Sequence, residues 1–130
     1  MKIQFAYRFT GENEKELIGI LKKISGIFEK RGYEVYCPVL DSNRPADKKE
    51  LFIGTIKKID DADVLLALIK SDEKSEGMLL EMGYAFGRGK KVICAIQEDV
   101  RHTHMRELAD KVIEYEDINN LYCKLEEVDI

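Results

Sequence analysis

Cysteine, proline and histidine are scarce in this chain and long one-sided runs are missing, and each shortage removes a class of protein. The three cysteines, Cys37, Cys94 and Cys123, lie far apart, with no C-x-x-C pair and no histidine at a zinc-finger spacing. A disulfide framework and a structural metal site are therefore not expected, and the thiols are read as reduced. No stretch approaches the roughly 20 apolar residues of a membrane span, and the opening MKIQFAYRFTGE turns polar too early for a secretory or transit leader. Lysine and arginine never run to more than two in a row, and 21 basic residues interleave with 25 acidic ones for a formal charge of −4. That pattern gives no extended surface for nucleic acid. The expectation is a soluble cytoplasmic protein with neither nucleic acid nor membrane as partner, and with no metal or cofactor.

Familiar catalytic signatures are missing too. Neither G-x-G-x-x-G nor the Walker lysine motif occurs, which sets aside dinucleotide oxidoreductases and P-loop nucleotidases. The segment YRFTG after the first apolar run lacks the acidic residues of a phosphoacceptor receiver, and no G-x-S-x-G elbow marks a serine hydrolase.

What is present is an alternation. With 130 residues, 45% hydrophobic and 35% charged, the chain suits one domain, 1–130, with a real core. Short apolar runs of strand type alternate with longer stretches where apolar residues recur at three and four. Residues 2–7 and 33–37 read as strands, and between them Leu17, Ile20, Leu21, Ile24, Ile27 and Phe28 mark one face of a helix ending at Gly32. Both prolines fall in the turn-rich loop PVLDSNRPAD, of the kind that borders sites. Next come a helix with Phe52, Ile53, Ile56 and Ile59 on its apolar side, and the run 63–69, DVLLALI, as a central buried strand. The loop KSDEKSEG leads to a helix over 75–88, closed by Gly89, and a strand over 92–96 follows. A short helix over 103–110, a strand over 111–115 and a final helix complete the pattern. This arithmetic predicts an α/β fold, a three-layer doubly wound sandwich of flavodoxin or Rossmann-like type around a five-stranded parallel sheet. Its pocket belongs beyond the carboxyl ends of the strands, at the topological switch.

Within GMLLEMGYAFG, residues 77–87, Glu81 is the single charged side chain. Helical spacing sets Gly77, Met78, Tyr84 and Ala85 beside it, roughly 9 Å from the helix start and so near the expected pocket. It is either a candidate nucleophile or a structural carboxylate in a hydrogen bond or ion pair. Gly77 would let a ligand approach the helix N-terminus and Gly83 would let the helix press on the sheet, unless both serve packing alone. In the loop after the first strand, Arg8 is suited to gripping a phosphate or carboxylate and Tyr7 or Phe9 to stacking on a base; the alternative is an exposed arginine and two core aromatics. His102 and His104 read more readily as surface residues than as ligands.

Three features taken together, the opening strand, the start Ala62-Asp63-Val64 and the run from Glu76 to Ala85, resemble the nucleoside 2-deoxyribosyltransferase family over nearly the whole chain. The run from Gly77 to Ala85 reproduces its G-x-x-x-E-x-G-x-A helix. Relatives of that family include nucleoside 5′-monophosphate N-glycosidases. The resemblance implies that Glu81 attacks the anomeric carbon of a nucleoside or nucleotide, that Tyr7, Arg8, Phe9, Ser75 and Gly77 line the pocket, and that the protein is a homodimer or larger homo-oligomer. In such an assembly a residue from the region of His102, Thr103 and His104 would complete a neighbouring pocket; His104 is the candidate. Gln4 stands where the family usually has tyrosine, Thr55 where it has aspartate, and Ser75 where some transferases carry aspartate. Those differences leave a non-catalytic nucleotide-binding module as the alternative, and a TIR-like NAD glycohydrolase behind it.

Overall fold

The computed structural model describes every residue except Lys74, so the expected loop 70–77 is seen apart from that position. Five strands form one sheet in the order β2-β1-β3-β4-β5. They are β1 (Lys2–Tyr7), β2 (Glu34–Tyr36), β3 (Val64–Ile69), β4 (Lys91–Gln97) and β5 (Lys111–Tyr115), and every adjacent pair is parallel. The expected doubly wound α/β architecture is the one observed.

The helices are α1 (Glu14–Lys30), α2 (Lys48–Asp61), α3 (Glu76–Gly87), α4 (Met105–Leu108) and α5 (Ile118–Glu127). Alternation along the strands divides the core in two. Ile3, Phe5, Leu66 and Ile93 face α1 and α5, whereas Ala6, Leu65, Ala67 and Cys94 face α2, α3 and α4. All six residues of β3 are buried, as a strand covered on both faces requires.

Helix starts are fixed locally. The side chains of Asn13, Asp47, Ser75 and Asp117 each accept a backbone N–H from the first turn, at 3.0, 3.0, 3.3 and 2.8 Å respectively. After α1 and α3 the chain turns through Gly32 and Gly89 at φ +87° and +71°, where a side chain would be strained.

Several expected boundaries move inward. Pro38 removes a ladder donor and starts a 3₁₀ turn, Pro38–Leu40, so β2 ends at Tyr36 and Cys37 lies outside it. The short fourth helix covers 105–108 rather than 103–110. In α2 the buried stripe is not the one expected: Thr55 and Ile59 are buried, while Phe52 and Ile53 are 38% and 44% exposed. Positions 52, 55, 56 and 59 keep the helical spacing, and Ile53 falls one residue off it. Gly83 is exposed and a Cβ there would meet nothing within 4 Å, so it does not bring α3 closer to the sheet. Met78, Met82 and Ala85 make that contact instead.

This packing predicts opposite outcomes for two isoleucines of one helix. Ile59→Ala should cost about 2–5 kcal/mol in urea unfolding, and Ile53→Ala should stay within about 0.5 kcal/mol of wild type.

Candidate active site

The chain runs from β1 through α1 to β2 at one edge, then crosses back beyond β1 to β3. Connections leaving β1 and β3 diverge there, which opens a crevice at the carboxyl ends of the strands. A cleft of about 670 Å³ occupies that place. Phe5 and Tyr7 form its floor, and Ser75, Gly77, Met78 and Glu81 of the first turns of α3 form one wall. The opposite wall is the segment Arg44-Pro45-Ala46 with Lys48, Leu51, Phe52 and Thr55 of α2, while Phe9 and Thr10 lie at the rim.

Glu81 is half-buried, and desolvation pushes its carboxyl from the ordinary 4.5 up to about 7. Among the described residues no cation pairs with it. A structural ion pair therefore does not explain this carboxylate. Near neutral pH it exists in both protonation states, suited to attack when ionised.

Tyr7 accepts the Val39 N–H at 2.7 Å through its hydroxyl oxygen, and its phenolic hydrogen is directed to the Cys37 thiol. Burial, with the Cys37 thiol and the Glu81 carboxyl as further causes, raises its pKa far above the usual phenol value. It is thus a neutral donor, close enough to Glu81 to feel its charge. Cys37 is likewise pushed up to about 11 by burial, which leaves an unreactive thiol.

Arg8 is not in the cleft. Adjacent side chains at a strand end point to opposite sides, so with Tyr7 directed into the cleft Arg8 is directed away. Its guanidinium pairs with Glu73 at 2.7 Å and Glu12 at 3.5 Å, under Gly11, whose φ of +83° and lack of a Cβ make room for it. It ties the loop after β1 to the loop before α3. His104 is also absent from the cleft of its own chain: its side chain is 93% exposed, with Nδ1 3.2 Å from Glu107. Phe9, Ser75 and Gly77 do line the cleft, and at Gly77 a Cβ would meet only Ser75 Oγ, at 3.8 Å, so the backbone is open to a ligand.

Gln4 and Thr55 form a buried pair beside the cleft. Gln4 Nε2 donates to the Thr55 carbonyl at 3.3 Å while its Oε1 finds no donor, and Thr55 Oγ1 donates to the Leu51 carbonyl at 3.0 Å. Phe52, Arg44 and Lys48 were not singled out from sequence as site residues, and Thr55 only as standing where the family has aspartate; the one signal for Arg44 was the proline-bearing loop before α2. Among the described residues no three His, Cys, Asp or Glu side chains gather to hold a metal, and no helix is long and apolar enough to cross a membrane.

Sheet order and cleft position define a flavodoxin-like α/β protein. A flavodoxin-like domain from Synechococcus sp. shares the fold at a TM-score of 0.56, with 13% identity over 96% of this chain and 91% of that one. Within that fold, the family model described as nucleoside 2-deoxyribosyltransferase matches residues 7–119, and the chain belongs to that family. The CMP N-glycosidase BcmB of Clostridium botulinum superposes at a TM-score of 0.76, with 17% identity over 97% of this chain and 98% of that one. A 2-deoxyribosyltransferase from Bacillus psychrosaccharolyticus superposes at 0.73, with 21% identity over 100% of this chain and 93% of that one. No curated protein matches by sequence.

The raised carboxyl at Glu81 has a consequence for stability. The folded chain holds that proton more tightly than the unfolded one, so the stabilisation is complete below 4.5 and is lost as pH rises through about 7. Glu81→Gln, which removes the charge, should match wild type in urea unfolding near pH 4 and exceed it near pH 8.5 by at most about 3 kcal/mol.

Proposed function

We propose that the protein cleaves or transfers at the N-glycosidic bond of a nucleoside or nucleoside 5′-monophosphate, with Glu81 as nucleophile. The observation that carries this reading is a desolvated, unpaired carboxylate on the wall of the cleft, in a chain of this family. In the first step a Glu81 carboxylate oxygen bonds to the anomeric carbon, and the C–N bond breaks with its electron pair leaving on the base. A glycosyl ester remains on Glu81. In the second step water, or the nitrogen of another base, bonds to the same carbon and frees the carboxylate; dividing one hard displacement into two lowers each barrier.

In this reading Tyr7 turns its hydroxyl from Cys37 to the carboxyl or the sugar when substrate binds, Phe9 stacks on the base, and Ser75 and Gly77 receive polar groups of the sugar at the start of α3. Arg8 contributes by fixing the loop that carries Phe9 and Thr10. We take residues 1–130 as one domain, acting in the cytoplasm as a homodimer or larger homo-oligomer in which the exposed His104 reaches a neighbour's cleft.

A second reading, a nucleotide-binding module without turnover, is favoured by one observation. Where the family usually has tyrosine and aspartate, the chain has Gln4 and Thr55, and these are bonded to each other through the Thr55 backbone.

Chromatography of reactions with nucleosides, 5′-monophosphates and NAD separates these readings. Free base should appear from at least one nucleoside or 5′-monophosphate, with kcat/KM rising as pH rises and levelling above about 7. Glu81→Ala should lower release by about 10³-fold or more. Release that survives this change would remove Glu81 as nucleophile, release from NAD alone would assign a NAD glycohydrolase, and ligand-induced thermal stabilisation without release would assign the binding module.

A further inference from the structure

The arginines of this chain are mostly committed to partners. Arg8 is paired with Glu73 and Glu12, Arg88 with Asp60 and Arg106 with Glu114, while Arg31 donates to the carbonyls of Leu125 and Val128. Arg44 is different. It lies on the cleft wall and, among the described residues, neither it nor Lys48 on the same wall has an ion-pair partner. The carboxylate between them in sequence, Asp47, accepts the Glu50 N–H at 3.0 Å to start α2 and, among the described residues, forms no ion pair with either.

Lys48 is also the first residue of α2, with Lys49 behind it. The Asp47 cap and Glu50 in the first turn already offset the positive end of the α2 dipole, so the uncompensated charge on this wall is that of the two side chains, Arg44 and Lys48. The lining of the cleft thus sets two unpaired cations against one carboxylate, Glu81, whose own pKa leaves it partly neutral. An uncharged nucleoside would leave that excess positive charge uncompensated.

We propose that Arg44 and Lys48 are specificity-determining residues that make the cleft selective for a phosphorylated nucleoside by holding its phosphate against the α2 wall. The inference rests on the reading of the cleft given under the preceding heading. In a nucleotide the furanose ring separates the phosphate from the anomeric carbon, so a sugar whose anomeric carbon meets Glu81 on the α3 wall can lay its phosphate against the cations of the facing wall. Arg44 presents a planar fork that matches two phosphate oxygens, and Lys48 adds a point charge.

The test compares matched pairs, each a nucleoside and its 5′-monophosphate, with wild type, Arg44→Ala, Lys48→Ala, the double variant, and, as a charge control, Lys30→Ala at the exposed C-terminal end of α1, which leads away from the cleft. The monophosphate should be favoured in kcat/KM by roughly a hundredfold. Each single variant should lose about tenfold on the monophosphate through KM with kcat retained, the double variant should lose most of the preference, and Lys30→Ala should lose none. Both side chains are exposed, so unchanged thermal unfolding is expected to show that the variants fold. Equal kcat/KM for the two members of a pair, or a preference that survives the double change, overturns the inference while leaving the glycosidic reading intact. If no base is released from any substrate, calorimetry on the same pairs decides. Tighter binding of the monophosphate, lost in the double variant, upholds the phosphate seat and removes the glycosidic reading; equal binding removes the seat.

Discussion

Everything in this molecule is arranged around the burial of β3. Its residues Val64–Ile69 pair with β1 on one side and β4 on the other, and none reaches solvent on either face. A strand enclosed in this way needs helices above and below, and the connections that supply them force the sequence of crossovers. The reversal between β1 and β3, and with it the crevice at their carboxyl ends, is a topological by-product of covering that strand. The site is inherited from the way the core is sealed.

The same geometry accounts for the electrostatics of Glu81. α3 must press Met78, Met82 and Ala85 on the sheet, and Glu81, three residues after Met78 and four before Ala85, sits at the margin of that buried face, while Leu79 and Leu80 are exposed. There a carboxyl loses much of its water without gaining a cation, and its proton affinity rises. A group placed deeper would stay protonated across the neutral range; one placed farther out would stay ionised and well hydrated. The first turns of α3 hold it between these limits, beside a phenol that burial keeps neutral.

Periodicity made the fold legible. VLLALI could be assigned as a central strand because six consecutive apolar residues match a surface covered twice, and α1 because its apolar positions fall on one stripe. Ile53 shows where composition misleads: its apolarity drew it into the expected face of α2, although Thr55 holds the position that the spacing requires. The cleft was legible where a residue contradicts its surroundings, as Glu81 does in an apolar helix. Arg8 was assigned to it by nearness along the chain, yet strand alternation sends Tyr7 and Arg8 to opposite sides. For Arg44 the signal was only the loop that holds it, and Lys48 carried none, because an exposed cation looks the same in sequence whether it faces bulk water or a cleft.

The far ends of α2 and α3 are fastened together. Asp60 accepts the Tyr84 hydroxyl at 2.8 Å and Arg88 Nε at 3.1 Å, and its carbonyl accepts Lys90 Nζ at 2.8 Å. The opposite ends of these helices are the two walls of the cleft. The pair is therefore shaped like tongs joined at the handle: its stiffness is set at Asp60, while its opening is set by the short segments that lead into the two helices. Tyr84 lies one turn of α3 from Glu81, so the fastening that joins the two helices also holds the stretch that carries the carboxyl, while the width at the mouth depends on the segments ahead of the helices.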